Sequence, residues 1–173
     1  MRLTSFAWLV PVIAQLGCGS GGDTATGSFT VDFPTTAAAI AALKITPGVQ
    51  VFAYPTNALG AGDGAASGAC ETLVEQSRTN NLTVTATAMS AVLTPCDLMS
   101  GKGSLALAYG SYAFLAVAQS SVGQDFLVGC AEQTLSSTNT MVTIPMTLAS
   151  ATMTVPTTTC TTLSQACPSG GGC

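Results

Sequence analysis

Seven consecutive residues, Tyr112-Ala113-Phe114-Leu115-Ala116-Val117-Ala118, constrain this chain more than any other segment. A strand with one wet face alternates apolar and polar side chains, whereas this run is apolar at every position and has to be covered on both sides. Leu105, Leu107 and Tyr109 precede it, but the span from Leu105 to Ala118 includes Gly110 and Ser111 and is too short for a membrane helix. The run is therefore expected as a central strand of a sheet. Gly110-Ser111 between the two apolar arms predicts a hairpin with a type II′ turn, in which glycine takes the positive φ of the first central position.

The remaining segments are short and punctuated by turns. Phe29, Val31 and Phe33 alternate with Ser28, Thr30 and Asp32, a half-buried strand that Pro34 ends. Thr35 to Ala42 predicts a short helix capped by Thr35 or Thr36. Val49 to Tyr54 predicts a second strand, closed by Pro55 and by a glycine-rich surface loop from Gly60 to Gly68. Cys70 to Ser77 has helical composition. Leu82, Val84, Ala86 and Ala88 oppose Thr83, Thr85 and Thr87 in a one-sided strand. Asp125 to Glu132 and Thr140 to Leu148 add two more; Val142, Ile144, Met146 and Leu148 point inward, and the outward Pro145 predicts an edge or a bulge. Ala151, Met153 and Val155 suggest a final strand. With no regular β-α alternation, the expected fold is mainly β: an antiparallel β-sandwich of about seven to eight strands with one or two short helices.

Charge and composition exclude whole classes of function. Four Lys and Arg stand against eight Asp and Glu, so no basic footprint exists for a phosphate backbone, and no nucleic-acid partner is expected. The chain has no histidine, which removes Ser-His-Asp and Cys-His machinery and any imidazole metal ligand.

The amino terminus reads as an export signal. Met1 and Arg2 precede a short apolar stretch, Leu3 to Ile13, and then Gln15-Leu16-Gly17-Cys18. Gly17 directly before Cys18 resembles the lipobox of bacterial lipoproteins, which implies lipidation of Cys18; Gln15 stands where that family prefers Leu. The glycines that follow read as a tether. The expected organisation is a signal peptide at 1–17, the lipidated cysteine and flexible tether at 18–27, a β-sandwich at 28–156 and a Thr/Gly/Cys-rich tail at 157–173.

Once Cys18 is set aside, Cys70, Cys96, Cys130, Cys160, Cys167 and Cys173 suffice for three disulfides in an oxidising compartment. Fifteen pairings are open. Cys70 with Cys96 is the favoured central bridge, with the tail cysteines stapling one another and Cys130 taking the one left over. No CxxC pair occurs, so no metal or cofactor is expected.

Motifs of catalytic type are weak. Gly17 to Gly22 matches a GxGxxG spacing without a strand before it or a helix after it, and Gly101-Lys102-Gly103-Ser104 lacks the rest of a phosphate loop. Glu71 and Glu75, four residues apart, fit a solvated helix face better than a catalytic pair. Ser100 or Ser104 with Lys102 is the one arrangement for a small secreted hydrolase, and Asp97, Asp125 and Glu132 are isolated carboxylates.

The stretch from Tyr109 through Leu148, with YGSYAFLAVAQ, DFLVGCAEQTL and MVTIP, resembles envelope lipoproteins of predatory and social soil bacteria, of the myxobacterial type. The resemblance implies an immunoglobulin-like or transthyretin-like sandwich behind a lipobox and carries no catalytic residue. The expected function is a lipid-anchored, non-catalytic protein of the cell envelope, on the periplasmic or surface face of the outer membrane or otherwise secreted. It would bind a protein or glycan through the loops Gly60 to Gly68 and Ser120 to Gln124, or serve as a structural spacer.

Overall fold

The computed structural model describes residues 24–32, 41–43, 48–59, 68–94, 96–97, 100, 102–119, 125–150, 152, 154, 165 and 167. The expected signal peptide, Cys18, the loops at 60–67 and 120–124, Cys160 and Cys173 lie outside these residues. So does nearly all of the helix expected at 35–42, of which Ala41 and Ala42 are described, helical and buried.

The chain is mainly β, as its turn-punctuated pattern demands. Seven strands are described: β1 (Thr24–Asp32), β2 (Gly48–Pro55), β3 (Ala88–Met89), β4 (Ser104–Ala108), β5 (Gly110–Gln119), β6 (Asp125–Leu135) and β7 (Met141–Leu148). One α-helix, α1 (Ala69–Arg78), stands between β2 and β3. The strands form one sheet in the order β3-β2-β5-β6-β7-β1-β4. Every neighbouring pair is antiparallel except β1 with β7. The sheet curls until its outermost strands, β3 and β4, lie beside each other, so it is nearly a barrel.

Closure depends on β7 changing partner. Met141 to Pro145 pair with Ser28 to Asp32 of β1, and Met146 to Leu148 pair with Gly129 to Leu127 of β6. Pro145, which cannot donate to a ladder, sits at that changeover; of the edge or bulge expected from sequence, the edge is corrected, since β7 lies between β6 and β1. Gly129 makes the changeover possible, because a Cβ there would collide with the Pro145 carbonyl oxygen.

The interior is filled by the inward residues of five strands. Val49, Val51 and Ala53 meet Leu105 and Leu107, Phe114 and Ala116, Leu127 and Leu135, and Val142, Ile144 and Met146. Burial alternates strictly along β4 and over most of β7, whereas Tyr112 to Ala118 of β5 is buried at every position. Both faces of β5 are covered, as its composition requires. Its inward side chains fill the barrel, and Ala113, Leu115 and Val117 join Tyr54, Val128, Ala69 and Leu73 in a second cluster beneath α1.

Four further expectations differ from what the structure shows. β4 and β5 do not form a hairpin: β4 pairs with β1, while β5 pairs with β2 and β6. Gly110 does adopt φ +156°, but it serves a corner that carries the chain from the outermost strand β4 to β5, and Tyr112 closes it with a hydrogen bond from its hydroxyl to the Ala108 carbonyl (3.1 Å). In the segment 82–88 the alternation is real, with Val84 and Ala86 half-buried and Thr83, Thr85 and Thr87 exposed, but Leu82 is also exposed and pairing begins only at Ala88. β1 begins at Thr24, inside the stretch read as tether, because Thr24 to Ser28 pair with β4. Of the expected final strand, Thr152 and Thr154 are described, and neither is in a strand.

Candidate functional site

Helix α1 runs along β6 in the opposite direction and is tied to it at both ends. Its first turn has no side-chain cap, since the residue before it is Gly68. β6 supplies the missing acceptor: Glu132 Oε1 takes the Cys70 N–H at 2.9 Å, which places a carboxylate at the positive end of the helix dipole. Two residues away on the same face of β6, Cys130 forms a disulfide with Cys70, with Cα atoms 5.4 Å apart. At the other end the Ser77 hydroxyl donates to Asp125 Oδ2 (3.1 Å), and Gln119 donates to Asp125 Oδ1 (2.9 Å). Between these ties Leu73 is fully buried against β5 and β6.

The observed bridges are Cys70–Cys130 and Cys96–Cys167. The favoured Cys70–Cys96 pairing is thereby corrected, and so is the expectation that Cys130 takes the left-over tail cysteine: Cys130 pairs with Cys70, and the tail cysteine Cys167 pairs with Cys96. Spacing along the chain favoured Cys96, but α1 lies across β6 and brings Cys70 to Cys130 instead. Cys96 belongs to a separate turn, which Cys167 anchors.

With α1 clamped in this way, a groove of about 490 Å³ opens between the helix and β7. Its floor is Val128, Gly129 and the Cys70–Cys130 bridge, its far wall is Pro145 and Thr147, and its near wall is Glu71, Val74, Glu75 and Arg78. Glu71, Glu75 and Arg78 are spaced i, i+4 and i+7, so one face of α1 presents all three, and each is exposed. An apolar floor with a few charged side chains on one wall is the usual make-up of a ligand site, and the volume falls within the roughly 300–1,000 Å³ of such sites. A smaller groove of about 290 Å³ lies at Pro55, Thr56, Asn57 and Gly110 to Tyr112 and carries no Asp, Glu, Lys or Arg.

The other candidates from sequence sit apart from this groove. Lys102 is exposed, and its ammonium pairs with Asp97 Oδ1 at 3.2 Å. The Ser100 hydroxyl donates to the Asp97 carbonyl oxygen (2.9 Å), and Ser104 is exposed at the start of β4. Asp97 also accepts from the Thr94 hydroxyl (2.6 Å) and the Thr94 N–H (3.2 Å), and these bonds, with Lys102 beside it, hold its carboxyl below the ordinary carboxylate range. The arrangement is a locally capped turn. Asp125 and Glu132, isolated in sequence, both serve α1. Among the described residues no group of three or more Cys, Asp and Glu is placed to hold a metal ion, and no helix is long and apolar enough to cross a membrane.

Glu71 and Glu75 were legible as a helix face. Arg78, Val74, Gly129 and Thr147 were not singled out, and Pro145 was read only for its place in a strand; the i, i+4, i+7 spacing contained Arg78, but the two walls meet only through the docking of α1 along β6. Compared with protein-family models, with curated proteins and with solved structures, the chain matches none.

Proposed function

We propose that this protein is a non-catalytic binding module of the bacterial cell envelope, anchored by lipid at Cys18, whose ligand lies in the groove between α1 and β7. One observation carries the reading: the groove is built where a disulfide, a carboxylate cap and a buried leucine hold its helical wall against its floor. A rigid concave surface of that kind holds a ligand without first having to order itself. The two loops expected to bind also end here, since Gly68 leads into α1, and Asp125, which accepts from both Gln119 and Ser77, lies at its far end.

Two measurements test the reading. The intact mass of the protein from native membranes is expected to show cleavage before Cys18 and added acyl chains; a chain that keeps its first residues removes the anchor. For the groove, a photo-crosslinking residue at Thr147 in living cells is expected to give one discrete adduct that Val74→Trp abolishes. The same residue at Ser104, on β4 and outside the groove, is expected to give none. Equal labelling at both positions, or none at Thr147, contradicts a binding role for this surface.

A further inference from the structure

Charge is scarce in this chain, and its placement is informative. The charged side chains described are Glu71, Glu75, Arg78, Asp97, Lys102, Asp125 and Glu132. Four of them are engaged: Asp97 with Lys102 and Thr94, Asp125 with Ser77 and Gln119, and Glu132 with the Cys70 N–H. Among the described residues Glu71, Glu75 and Arg78 have no ion pair or side-chain hydrogen bond, and these are the three that line the groove. They stand in order along it, the carboxylates toward the helix start and the guanidinium at its end.

Their spacing sets the length of a complementary ligand. Glu71 and Arg78 are seven residues apart, about 10 Å along a helix. An extended peptide advances about 3.3 Å per residue, so about three residues span the same distance. Between the charged ends the floor offers Val128, Gly129 and the disulfide, which favour apolar side chains over polar ones.

We propose that the groove binds a short zwitterionic peptide with apolar side chains, its terminal ammonium at Glu71 and Glu75 and its terminal carboxylate at Arg78. The proposal rests on the groove being the binding surface and adds the chemistry and direction of what it takes. A guanidinium can engage a terminal carboxylate with two parallel hydrogen bonds, which fixes orientation as well as charge.

The test is a titration of the ¹⁵N-labelled, oxidised full chain with the tripeptide Ala-Leu-Ala. Free peptide is expected to shift the amide resonances of Val74, Val128, Gly129 and Thr147. Acetylating its amino end, or amidating its carboxyl end, is expected to weaken binding about fivefold each, as for a solvent-accessible ion pair worth about 1 kcal/mol. Glu71→Gln/Glu75→Gln is expected to lose the response to acetylation but keep the response to amidation, and Arg78→Gln is expected to do the reverse. All three positions are exposed, so these variants are expected to fold. Equal affinity for free and doubly capped peptide, or responses assigned to the wrong ends, overturns the proposal. No shift at the groove while the Thr147 photo-adduct persists shows that the ligand is of another class and leaves the groove reading standing; loss of both removes the two together.

Discussion

The outer surface of the sheet is treated in opposite ways on neighbouring strands in its middle. On β5 and β6 the outward residues Ala113, Leu115, Val117 and Val128 are buried beneath α1, while on β7 Met141, Thr143, Pro145 and Thr147 face outward and are exposed. All three strands pack apolar side chains inward, so the barrel core does not distinguish them. What differs is the alternate residue. Where it is apolar along the strand, a covering helix is needed, and the chain ties that helix down; where it is mainly threonine and proline, with Met141 exposed at the strand's start, the backbone pairs and the face stays open. The groove exists because these two treatments meet along β6 and β7.

The contrast is broken most severely beneath the helix. Leu115→Ala, at a fully buried outward position, is expected to cost about 2–5 kcal/mol in urea unfolding, whereas Thr143→Ala is expected to change stability by no more than about 0.5 kcal/mol. Similar costs for the two would mean that α1 does not cover β5 in solution. Replacing the Cys70–Cys130 pair with serines removes a link across 60 residues and is expected to cost about 2–4 kcal/mol, read from the denaturant midpoint with Cys96–Cys167 left intact.

A smaller effect is expected where the strand caps the helix. Glu132→Ala leaves the Cys70 N–H without its carboxylate and is expected to cost about 1 kcal/mol, with faster amide exchange confined to the first turn of α1. The smallest effect lies at the exposed turn. The Asp97 carboxyl has its pKa depressed in the folded chain, so its contribution to stability is present above the ordinary carboxylate pKa and lost as pH falls through the depressed value. Melting temperature followed from pH 5 to pH 2 is expected to fall less steeply in Asp97→Asn than in the parent chain. Parallel curves would show that the Thr94 and Lys102 contacts do not persist in solution.

How much of this was legible follows from how local each signal is. The doubly apolar run at Tyr112 to Ala118 announced a strand covered on both sides, and the alternation at Val142 to Leu148 announced a strand with an inward face, because side-chain period is a property of the strand alone. Partner choice is not. Gly110-Ser111 reads as a hairpin turn because two strands adjacent in sequence usually pair, yet the chain turns a corner there and sends β4 to β1. Pro145 reads as an edge or a bulge because it lacks a donor, and only the changeover of β7 from β1 to β6 gives it a place in the interior of the sheet. The site was half legible for the same reason: Glu71 and Glu75 share a helix face by spacing, while Cys130, Gly129 and Thr147 join them only through the docking of α1. Cys70 and Cys96 are the nearer pair in sequence; Cys70 and Cys130 are the pair that the helix brings together.

The central claim is that α1 is clamped to β6 and so forms one fixed wall of a groove. Native-state hydrogen exchange on the oxidised protein tests it most directly. The account predicts that the amides of Leu73 to Ser77 are protected to nearly the same degree as those of Phe114 to Val117, and that this protection falls selectively in the Cys70→Ser/Cys130→Ser variant. Exchange of the α1 amides as fast as that of the exposed segment around Thr83 and Thr85, with β5 fully protected, would show a helix that does not hold its place, and the groove with its proposed ligand would fall with it.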